Sequence, residues 1–465
     1  MVDIDLEQNN TALPAPGVGL AALGGTSMAR RVLWLAWPAV VEQTLNMTVG
    51  LVDTYLVGHL GAAQLAAVGL GIQVVALLSV VFAAVAVGST VLIARHIGAN
   101  ETERANRILQ QSLLLAVIIG VACTIGIIAL APNIMMWFGA APDVVLYGAE
   151  YLRTVGSTLT LMVILLAGTA ALRGAGDTRS PLYIMLMVNA INIVVAYCLI
   201  DGVAGLPKLG VTGSALGAAV ARGVGGLVVL FVLWNRHPIL RLKGRAWAWD
   251  AVEVRRILKI GLPSGLEQFL LYGAQIGFAV VIARLGTAAF AAYEISINVL
   301  SMSFMPGFGF SLAATTLIGQ YLGARRPEEA EQGGYVAFYL AFATMIGIGT
   351  LLFVFARPLT ASFISDPEVI KLGTNAVRIA ALTQPALAVA MVFSGALRGA
   401  GDTRGALVAM AACTWGIRLP LGILLALPLG LGLAGAWIAV GVDFTVRGLW
   451  MWLRFRHGRW KEIEV

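Results

Sequence analysis

Only 12% of the 465 residues are charged, 59% are hydrophobic, and the formal net charge is +7. A soluble domain averages about 25% charged residues, so this chain has too few charges to cover the surface of a soluble protein of its length. The composition excludes an ordinary soluble protein and predicts that most of the surface faces lipid.

The N-terminal region 1–29 is rich in Asp, Asn, Gly, Ala and Pro. A secretory signal has a basic start followed by an apolar core, and this region has neither. We therefore predict a disordered cytoplasmic tail over 1–29. Arg30 and Arg31 open the first apolar run.

Twelve apolar runs follow the tail. A helix needs about 20 residues to cross a hydrocarbon core of about 30 Å, and each run reaches that length. The sequence therefore predicts an all-α membrane protein with twelve transmembrane helices. The predicted spans are 32–57, 64–94, 108–131, 143–170, 181–200, 211–234, 259–283, 288–318, 333–356, 369–395, 405–428 and 433–454.

Lysine and arginine lie mostly on one side of these spans. If both termini are cytoplasmic, 22 of the 31 Lys and Arg residues fall in inside segments and four fall in outside segments. This positive-inside bias predicts a multi-pass protein of the plasma (inner) membrane with both termini in the cytoplasm. The basic stretch 236–259 then indicates a juxtamembrane segment near anionic lipid, and we predict no nucleic-acid partner.

The segment ALRGAGDTR occurs twice, at 171–179 and again at 396–404. The offset between the two copies, here called the repeat offset, also carries Pro38 onto Pro263. Each copy contains six predicted spans, an even number, so both copies enter the membrane in the same orientation. Such parallel repeats predict two lobes related by a pseudo-two-fold axis along the membrane normal.

The repeat also divides the chain into domains. We predict an N-terminal six-helix lobe over 30–236, a basic cytoplasmic linker over 237–254, a C-terminal six-helix lobe over 255–456 and a cytoplasmic C-terminal tail over 457–465. A cleft between two such lobes is typical of alternating-access transporters. A channel would more often show a selectivity filter or a ring of like side chains, and the sequence shows neither.

The sequence contains no arrangement of residues that is typical of an enzyme. The four histidines are scattered over span ends and loops, and the three cysteines lie in separate apolar runs, which argues against a metal site or a disulfide framework. The Gly-x-Gly of the repeated segment joins two membrane helices and lacks the strand that a dinucleotide site requires. We therefore predict a protein that is not an enzyme and binds no cofactor or metal.

Four longer segments carry a family resemblance. They are WPAVVEQTLNMTVGLVDTYLVGHLGAAQLAA at 37–67, LPSGLEQ at 262–268, MPGFGFSLAATTLIGQYLGA at 305–324, and both copies of ALRGAGDTR. Together they resemble the multidrug and toxic compound extrusion (MATE) family over nearly the whole chain. The resemblance implies a twelve-helix, two-lobed fold. It also implies export of organic cations or other amphipathic compounds, driven by inward flow of H⁺ or Na⁺.

A polar stripe runs along the first span. Glu42, Asn46, Gly50 and Asp53 are spaced by four, four and three residues and so share one helix face. Asp53 lies inside the apolar run, with no Lys or Arg within one helical turn. A carboxylate in such a poorly solvated place can exchange a proton near neutral pH or neutralise a Na⁺. The alternative is a structural hydrogen bond to a neighbouring helix.

The resemblance also implies a coupling site. Asp53 matches the first-helix aspartate of the family that is tied to cation coupling in the N-terminal lobe. Asn192 resembles the asparagine that accompanies it, and Tyr151 and Ser214 are expected to line the same lobe. These four residues form the predicted ion-coupling site.

This chain departs from the family pattern at two positions. Ala196 stands where some members carry a second aspartate, and Phe278 holds the position of the second copy that is equivalent to Asp53. We therefore expect ion coupling in the N-terminal lobe alone. One carboxylate is enough to carry a proton, whereas Na⁺ needs several more oxygen ligands, so we expect H⁺ in preference to Na⁺.

Polar residues of the first and seventh spans are candidates for a substrate cleft. Glu42 and Glu267 are related by the repeat offset and lie near the inner ends of these spans. They either face each other across the cleft or act as carboxylates of a helical first turn that interact with the helix dipole. Asn46, Gln268 and Gln275 complete the predicted cleft set.

Three charged residues lie within the last two spans. Asp443 and Arg447 are four residues apart, which predicts an ion pair on one helix face. An unpaired charge within a membrane costs at least about 2.5 kcal/mol, so we interpret this pair and the nearby Arg418 as structural.

The predicted function is a secondary active multidrug exporter that works by alternating access. It exchanges drug-like or cationic small molecules for H⁺, with Na⁺ the less favoured ion. The lipid bilayer is its other partner, and we expect a monomer. One alternative is a lipid-linked-precursor flippase of the same superfamily, which typically has more helices and a cationic cavity. Another is a membrane scaffold that transports nothing.

Overall fold

The computed structural model describes residues 27–202, 205, 207–242 and 247–463. The predicted tail over 1–29 lies almost entirely outside the described residues, as do parts of the predicted linker and of the predicted C-terminal tail. Within the described ranges all regular structure is helical. The α-helices are α1 (Met28–Gly58), α2 (Ala62–Gly98), α3 (Thr102–Trp137), α4 (Pro142–Ser157), α5 (Leu159–Gly174), α6 (Arg179–Asp201), α7 (Val211–Phe231), α8 (Ala251–Ala283), α9 (Thr287–Gly323), α10 (Pro327–Ala361), α11 (Pro367–Leu382), α12 (Gln384–Gly399), α13 (Thr403–Cys413), α14 (Leu419–Ala426) and α15 (Gly432–Arg456).

These helices form twelve spans. Among the described residues, nine helical stretches are long and apolar enough to cross a membrane, and two bent helix pairs add two more. The twelfth span is α1, which has 31 residues and is less apolar because it contains Glu42 and Asp53. The number of spans equals the number predicted from the sequence. Six spans fall in each half of the chain, so α1–α7 and α8–α15 form two lobes.

Two spans that the sequence predicts as continuous are bent. The predicted span 143–170 consists of α4 and α5, which meet at 53°, and the predicted span 369–395 consists of α11 and α12, which meet at 51°. Thr158 and Thr383 occupy the breaks, and each hydroxyl donates to a carbonyl three residues earlier. Such local hydrogen bonds compete with the helical pattern, and Pro385, in the first turn of α12, has no N–H to continue the hydrogen bonds of α11.

The two lobes repeat each other closely. The repeat offset carries the first residues of α2, α3, α4 and α5 onto the first residues of α9, α10, α11 and α12, respectively. A Cβ at Gly261 of α8 would lie 1.8 Å from the carbonyl oxygen of Ala84 on α2, and a Cβ at Gly309 of α9 would lie 3.0 Å from the carbonyl oxygen of Ala36 on α1. The repeat offset carries Ala36 onto Gly261 and Ala84 onto Gly309. The contact between Gly309 and Ala36 is therefore the repeat equivalent of the contact between Gly261 and Ala84. A two-fold relationship between the lobes requires this equivalence.

The lobes touch in the half that is predicted to be cytoplasmic and separate toward the opposite side. Towards that side, Ser301 of α9 still reaches α1, where its hydroxyl donates to Met47 Sδ at 3.7 Å. Farther out along α1, a Cβ built at Gly50 or Gly58 would have nothing within 4 Å. The structure therefore has a cleft that opens away from the side predicted to be cytoplasmic.

Candidate functional site

The first candidate site joins α1 to α6 in the N-terminal lobe. The side-chain amide of Asn192 donates a hydrogen bond of 3.0 Å to Oδ2 of Asp53. The Oδ1 atoms of Asp53 and Asn192 are both buried, and neither has a hydrogen-bond partner in the described part of the chain. The two residues predicted to act together are thus adjacent, and each offers an oxygen that can still accept.

The other two predicted coupling residues lie nearby in α4 and α7. Tyr151 and Ser214 are each 4% exposed. Tyr151 is close enough to Asp53 to interact with it electrostatically, and its ring fills the space beside Gly71 of α2. The Ser214 hydroxyl makes no hydrogen bond to Asp53 among the described residues. Tyr151 therefore belongs to the surroundings of Asp53, while Ser214 lines the same lobe without contacting the carboxylate.

The cation near Asp53, which is Arg222, was not identified from the sequence. Arg222 of α7 interacts electrostatically with both Asp53 and Tyr151, although it forms no ion pair with Asp53 within 4 Å among the described residues. The expectation that no fixed cation lies near Asp53 considered only the neighbouring turns of α1. The available signal was the repeat, because Arg222 is equivalent to Arg447, which lies beside Asp443 in the second lobe.

The position of a second family aspartate is closely packed here. Ala196 of α6 is fully buried. A Cβ added to Gly217 of α7 would lie 2.8 Å from the Ala196 Cβ. The two helices thus approach so closely that Asp53 has no acidic neighbour at this position.

The predicted cleft acids, Glu42 and Glu267, each have an arginine partner. Arg173 donates to both carboxylate oxygens of Glu42, at 2.9 and 3.1 Å, and Glu42 is only 6% exposed. In the second lobe, Arg398 lies 3.7 Å from the carboxylate of Glu267. Both arginines come from the repeated segment ALRGAGDTR. Both helices, α1 and α8, begin well before these acids, so the interpretation as carboxylates of a helical first turn is wrong. Each acid is held by an arginine of its own lobe, and its place in the substrate cleft stays a prediction.

The remaining predicted cleft residues are polar and accessible to different degrees. Asn46 is half-buried, and its side-chain oxygen accepts a hydrogen bond of 3.4 Å from Asn189 of α6. Gln268 is half-buried and Gln275 is exposed, both on α8. These three side chains remain candidates for contact with a substrate.

A further acid of the cleft wall was missed. Glu294 of α9 is exposed and shares a helix face with Asn298 and Ser301. Ser301 contacts Met47 of the opposite lobe, so this face is directed toward α1 and the cleft. Among the described residues, Glu294 has no ion pair within 4 Å. The available signal was its position as the one acid within the apolar run 288–318.

The charged residues of the last two spans form a buried cluster. Asp443 is completely buried, and its Oδ2 accepts from Nε and Nη2 of Arg418 at 2.9 and 2.5 Å. Arg447 lies farther away, at 3.7 Å from the same oxygen. Arg418 is the last residue of a π-helical segment over 414–418, and its side chain reaches α15. The pair predicted from spacing is present, and Arg418 is the nearer partner of Asp443.

Comparisons with known proteins agree with this architecture. The MatE family model matches the chain over residues 38–198 and again over 263–424. The probable multidrug resistance protein NorM of Thermotoga maritima is 33% identical over 441 residues, with 94% of each chain covered. A probable multidrug resistance protein NorM of Aromatoleum aromaticum is 30% identical over 408 residues, covering 86% of this chain and 87% of that protein.

A solved structure shows the same fold. It is an outward-facing conformation of a multidrug resistance MATE family transporter of the MOP superfamily, with a TM-score of 0.88 at 24% identity, covering 93% of this chain and 97% of that one. The predicted fold class, twelve transmembrane helices in two six-helix lobes, is confirmed. Since the family model matches once in each lobe and the Thermotoga relative is similar over nearly the whole chain, the protein belongs to the MATE family of membrane transporters.

Proposed function

We propose that this chain is a secondary active multidrug exporter that exchanges organic cations or other amphipathic compounds for H⁺ by alternating access. The proposal rests on the hydrogen-bond partner of Asp53, which is neutral, whereas three other acids within the spans pair with arginine. Glu42, Glu267 and Asp443 each lie within 4 Å of an arginine. Asp53 is instead hydrogen-bonded to the neutral amide of Asn192. It can therefore gain and lose its charge without breaking an ion pair.

The surroundings of Asp53 favour a proton over a sodium ion. A Na⁺ site needs several oxygen ligands, and the described site offers the free Oδ1 atoms of Asp53 and Asn192. Ala196 adds no oxygen, and the positive charge of Arg222 opposes a second cation. A proton needs only the carboxylate. No cofactor or resident metal enters this mechanism.

The cleft wall supports cationic substrates. Glu294 places an exposed carboxylate, without a cationic partner among the described residues, on the α9 face that is directed toward the cleft. Such a group attracts cations and disfavours an anionic headgroup. The two relatives described above are named as multidrug resistance proteins, which supports a broad range of small molecules.

Alternating access supplies the coupling. Drug and proton must shift the same two-state equilibrium in opposite directions, because a ligand drives a conformational change only by binding the two states unequally. In our proposal the chain lies in the plasma membrane with both termini in the cytoplasm and acts as a monomer. Its relatives are transporters, and we assign it no enzymatic activity.

Reconstituted protein tests this proposal directly. Proteoliposomes loaded with ethidium, a fluorescent organic cation, would be given either a pH gradient or a Na⁺ gradient, each imposed alone. We expect ethidium movement with the pH gradient and none with the Na⁺ gradient. Movement with the Na⁺ gradient alone would overturn the assignment of H⁺, and no movement with either would overturn the exporter.

A further inference from the structure

A groove of about 570 Å³ lies at the inner end of α8, on the side predicted to be cytoplasmic. One wall is the exposed face of α8, and the other includes Arg404 at the start of α13. Trp249, just before α8, closes the rim. The groove lies between α8 and α13, and none of its lining residues belongs to the predicted coupling site or to the predicted cleft set.

The part of the groove that extends into the membrane is apolar. Leu258, Leu262 and Leu266 follow each other at intervals of four residues and form one stripe along α8. Leu262 is 55% exposed and Leu266 is 48% exposed, so protein does not cover these two leucines. Leu266 lies about 20 Å along the helix from its first turn, which is well inside a bilayer. This surface suits a hydrocarbon chain.

The part of the groove that faces the cytoplasm is cationic. Arg255, Lys259 and Arg404 are all exposed and line it, and no acidic residue does. Among the described residues, none of the three has an ion-pair partner within 4 Å. Arg256 differs, because it points away from the groove and pairs with Glu253 at 3.2 Å. The three positive charges are therefore available to an anion.

We propose that this groove binds an anionic phospholipid of the cytoplasmic leaflet. Arg255, Lys259 and Arg404 hold the phosphodiester, and an acyl chain lies along the leucine stripe. Trp249 is half exposed and lies at the level where tryptophan favours the membrane–water interface. The combination of basic and apolar lining residues favours a lipid over a free phosphate, because a free phosphate would leave the apolar half of the groove unused.

The occupant would join two helices of the second lobe. The inner half of α8 also packs against α2 of the first lobe, where Gly261 meets Ala84. A bound lipid that bridges Arg255 and Arg404 fixes α8 against α13. It thereby stabilises the helix that carries this contact between the lobes.

Thermal unfolding of the full-length protein in mixed micelles tests the site. Dioleoyl phosphatidylglycerol should raise the unfolding midpoint in a saturable manner, whereas dioleoyl phosphatidylcholine and sodium phosphate at equal concentration should not. The variant Arg255→Gln/Lys259→Gln should bind phosphatidylglycerol about 30-fold more weakly, because each basic residue contributes about 1 kcal/mol to binding of anionic lipid.

A matched control separates the groove from general surface charge. The variant Arg256→Gln/Arg326→Gln also removes two exposed arginines, both of which pair with glutamates outside the groove. It should respond to phosphatidylglycerol as the wild type does. Equal midpoints in phosphatidylcholine would show that both variants are folded. The proposal is overturned if both variants lose the response equally, if neither does, or if sodium phosphate alone reproduces it.

Discussion

Gly98 and Gly323 lie in one crossing of α2 and α9, and each touches the backbone of the opposite helix. A Cβ at Gly98 would lie 1.9 Å from the carbonyl oxygen of Gln320, and a Cβ at Gly323 would lie 1.9 Å from the carbonyl oxygen of Arg95. The repeat offset relates the two glycines. The ends of the lobes that are predicted to be cytoplasmic therefore close on each other at a point where no side chain fits.

The first prediction follows from that crossing. Gly98→Ala should push α2 and α9 apart and destabilise the form that is closed at its inner side, so drug efflux should fall sharply. Gly126→Ala on α3 is the control, because a Cβ there has nothing within 4 Å. It should keep wild-type efflux and gain helix stability of about 0.5–1 kcal/mol. Wild-type efflux by Gly98→Ala would show that this close contact is not needed.

The second prediction concerns Asp53. Asp53→Asn preserves the shape of the side chain and an acceptor for Asn192 but removes the exchangeable proton. Gradient-driven efflux should be lost, while folding and equilibrium drug binding should persist. Asp201→Asn, at the exposed outer end of α6, should have no effect. The coupling role of Asp53 would be refuted by an Asp53→Asn protein that still pumps at the wild-type rate.

The third prediction concerns the cleft wall. Glu294→Gln should weaken the binding of cationic drugs about tenfold, because a charge-assisted contact contributes about 1.5 kcal/mol. The binding of neutral amphipathic compounds should not change. Titration of purified protein with one dye of each kind gives both dissociation constants. An equal loss for both dyes would indicate damage to the cleft and no specific role for the carboxylate.

The fourth prediction concerns Glu42 and Arg173. Glu42→Gln should leave a largely buried guanidinium without its anion and lower the free energy of unfolding by about 3 kcal/mol. The double variant Glu42→Gln/Arg173→Met should recover most of that loss, since neither charge remains. Thermal unfolding of the two variants distinguishes the outcomes. If the single variant is as stable as the wild type but binds cations poorly, Glu42 belongs to the cleft after all.

The fifth prediction concerns pH and His237, which follows the last helical residue of the first lobe. Its Nδ1 accepts from the backbone N–H of Leu240 at 2.8 Å, and its Nε2 lies 3.7 Å from Asp177 Oδ2. Burial lowers the pKa of His237 below its ordinary value, and Asp177 opposes that shift only in part. The unfolded chain then binds the proton more tightly than the folded protein does.

Stability should therefore be full above a pH of about 6.5 and decline as the pH falls toward the lowered pKa of the folded protein. In His237→Asn, which keeps a side-chain acceptor but does not titrate, this part of the decline should disappear. Unfolding midpoints between pH 7.5 and pH 5 measure the difference. Equal slopes for wild type and variant would show that His237 does not contribute.

The architecture was predictable from the sequence because its signals are local or repeated. Span length depends on a short window, and the repeat offset depends on a comparison of two windows. The bends at Thr158 and Thr383 were missed, because a threonine within an apolar run does not by itself end a helix. The bend becomes visible only when packing fixes where each half of the span must go.

The candidate site was predictable only in part. The pairing of Asp53 with Asn192 followed from the family pattern. The ion pair of Glu42 with Arg173 joins residues 131 positions apart, and it depends on how α1 and α5 are rotated about their axes. Helix rotation is set by tertiary packing, which a single sequence does not display.

The matched bends have a consequence for the ancestry of this protein. Thr158 and Thr383 are related by the repeat offset, and the bends of 53° and 51° are nearly equal. The flanking sequences have diverged, because Pro385 of the second copy corresponds to Thr160 of the first. We infer that the bend was already present before the gene duplicated and that the geometry outlasted the residues around it. The ancestor then encoded a single lobe, and the present chain carries two copies of that lobe in one protein.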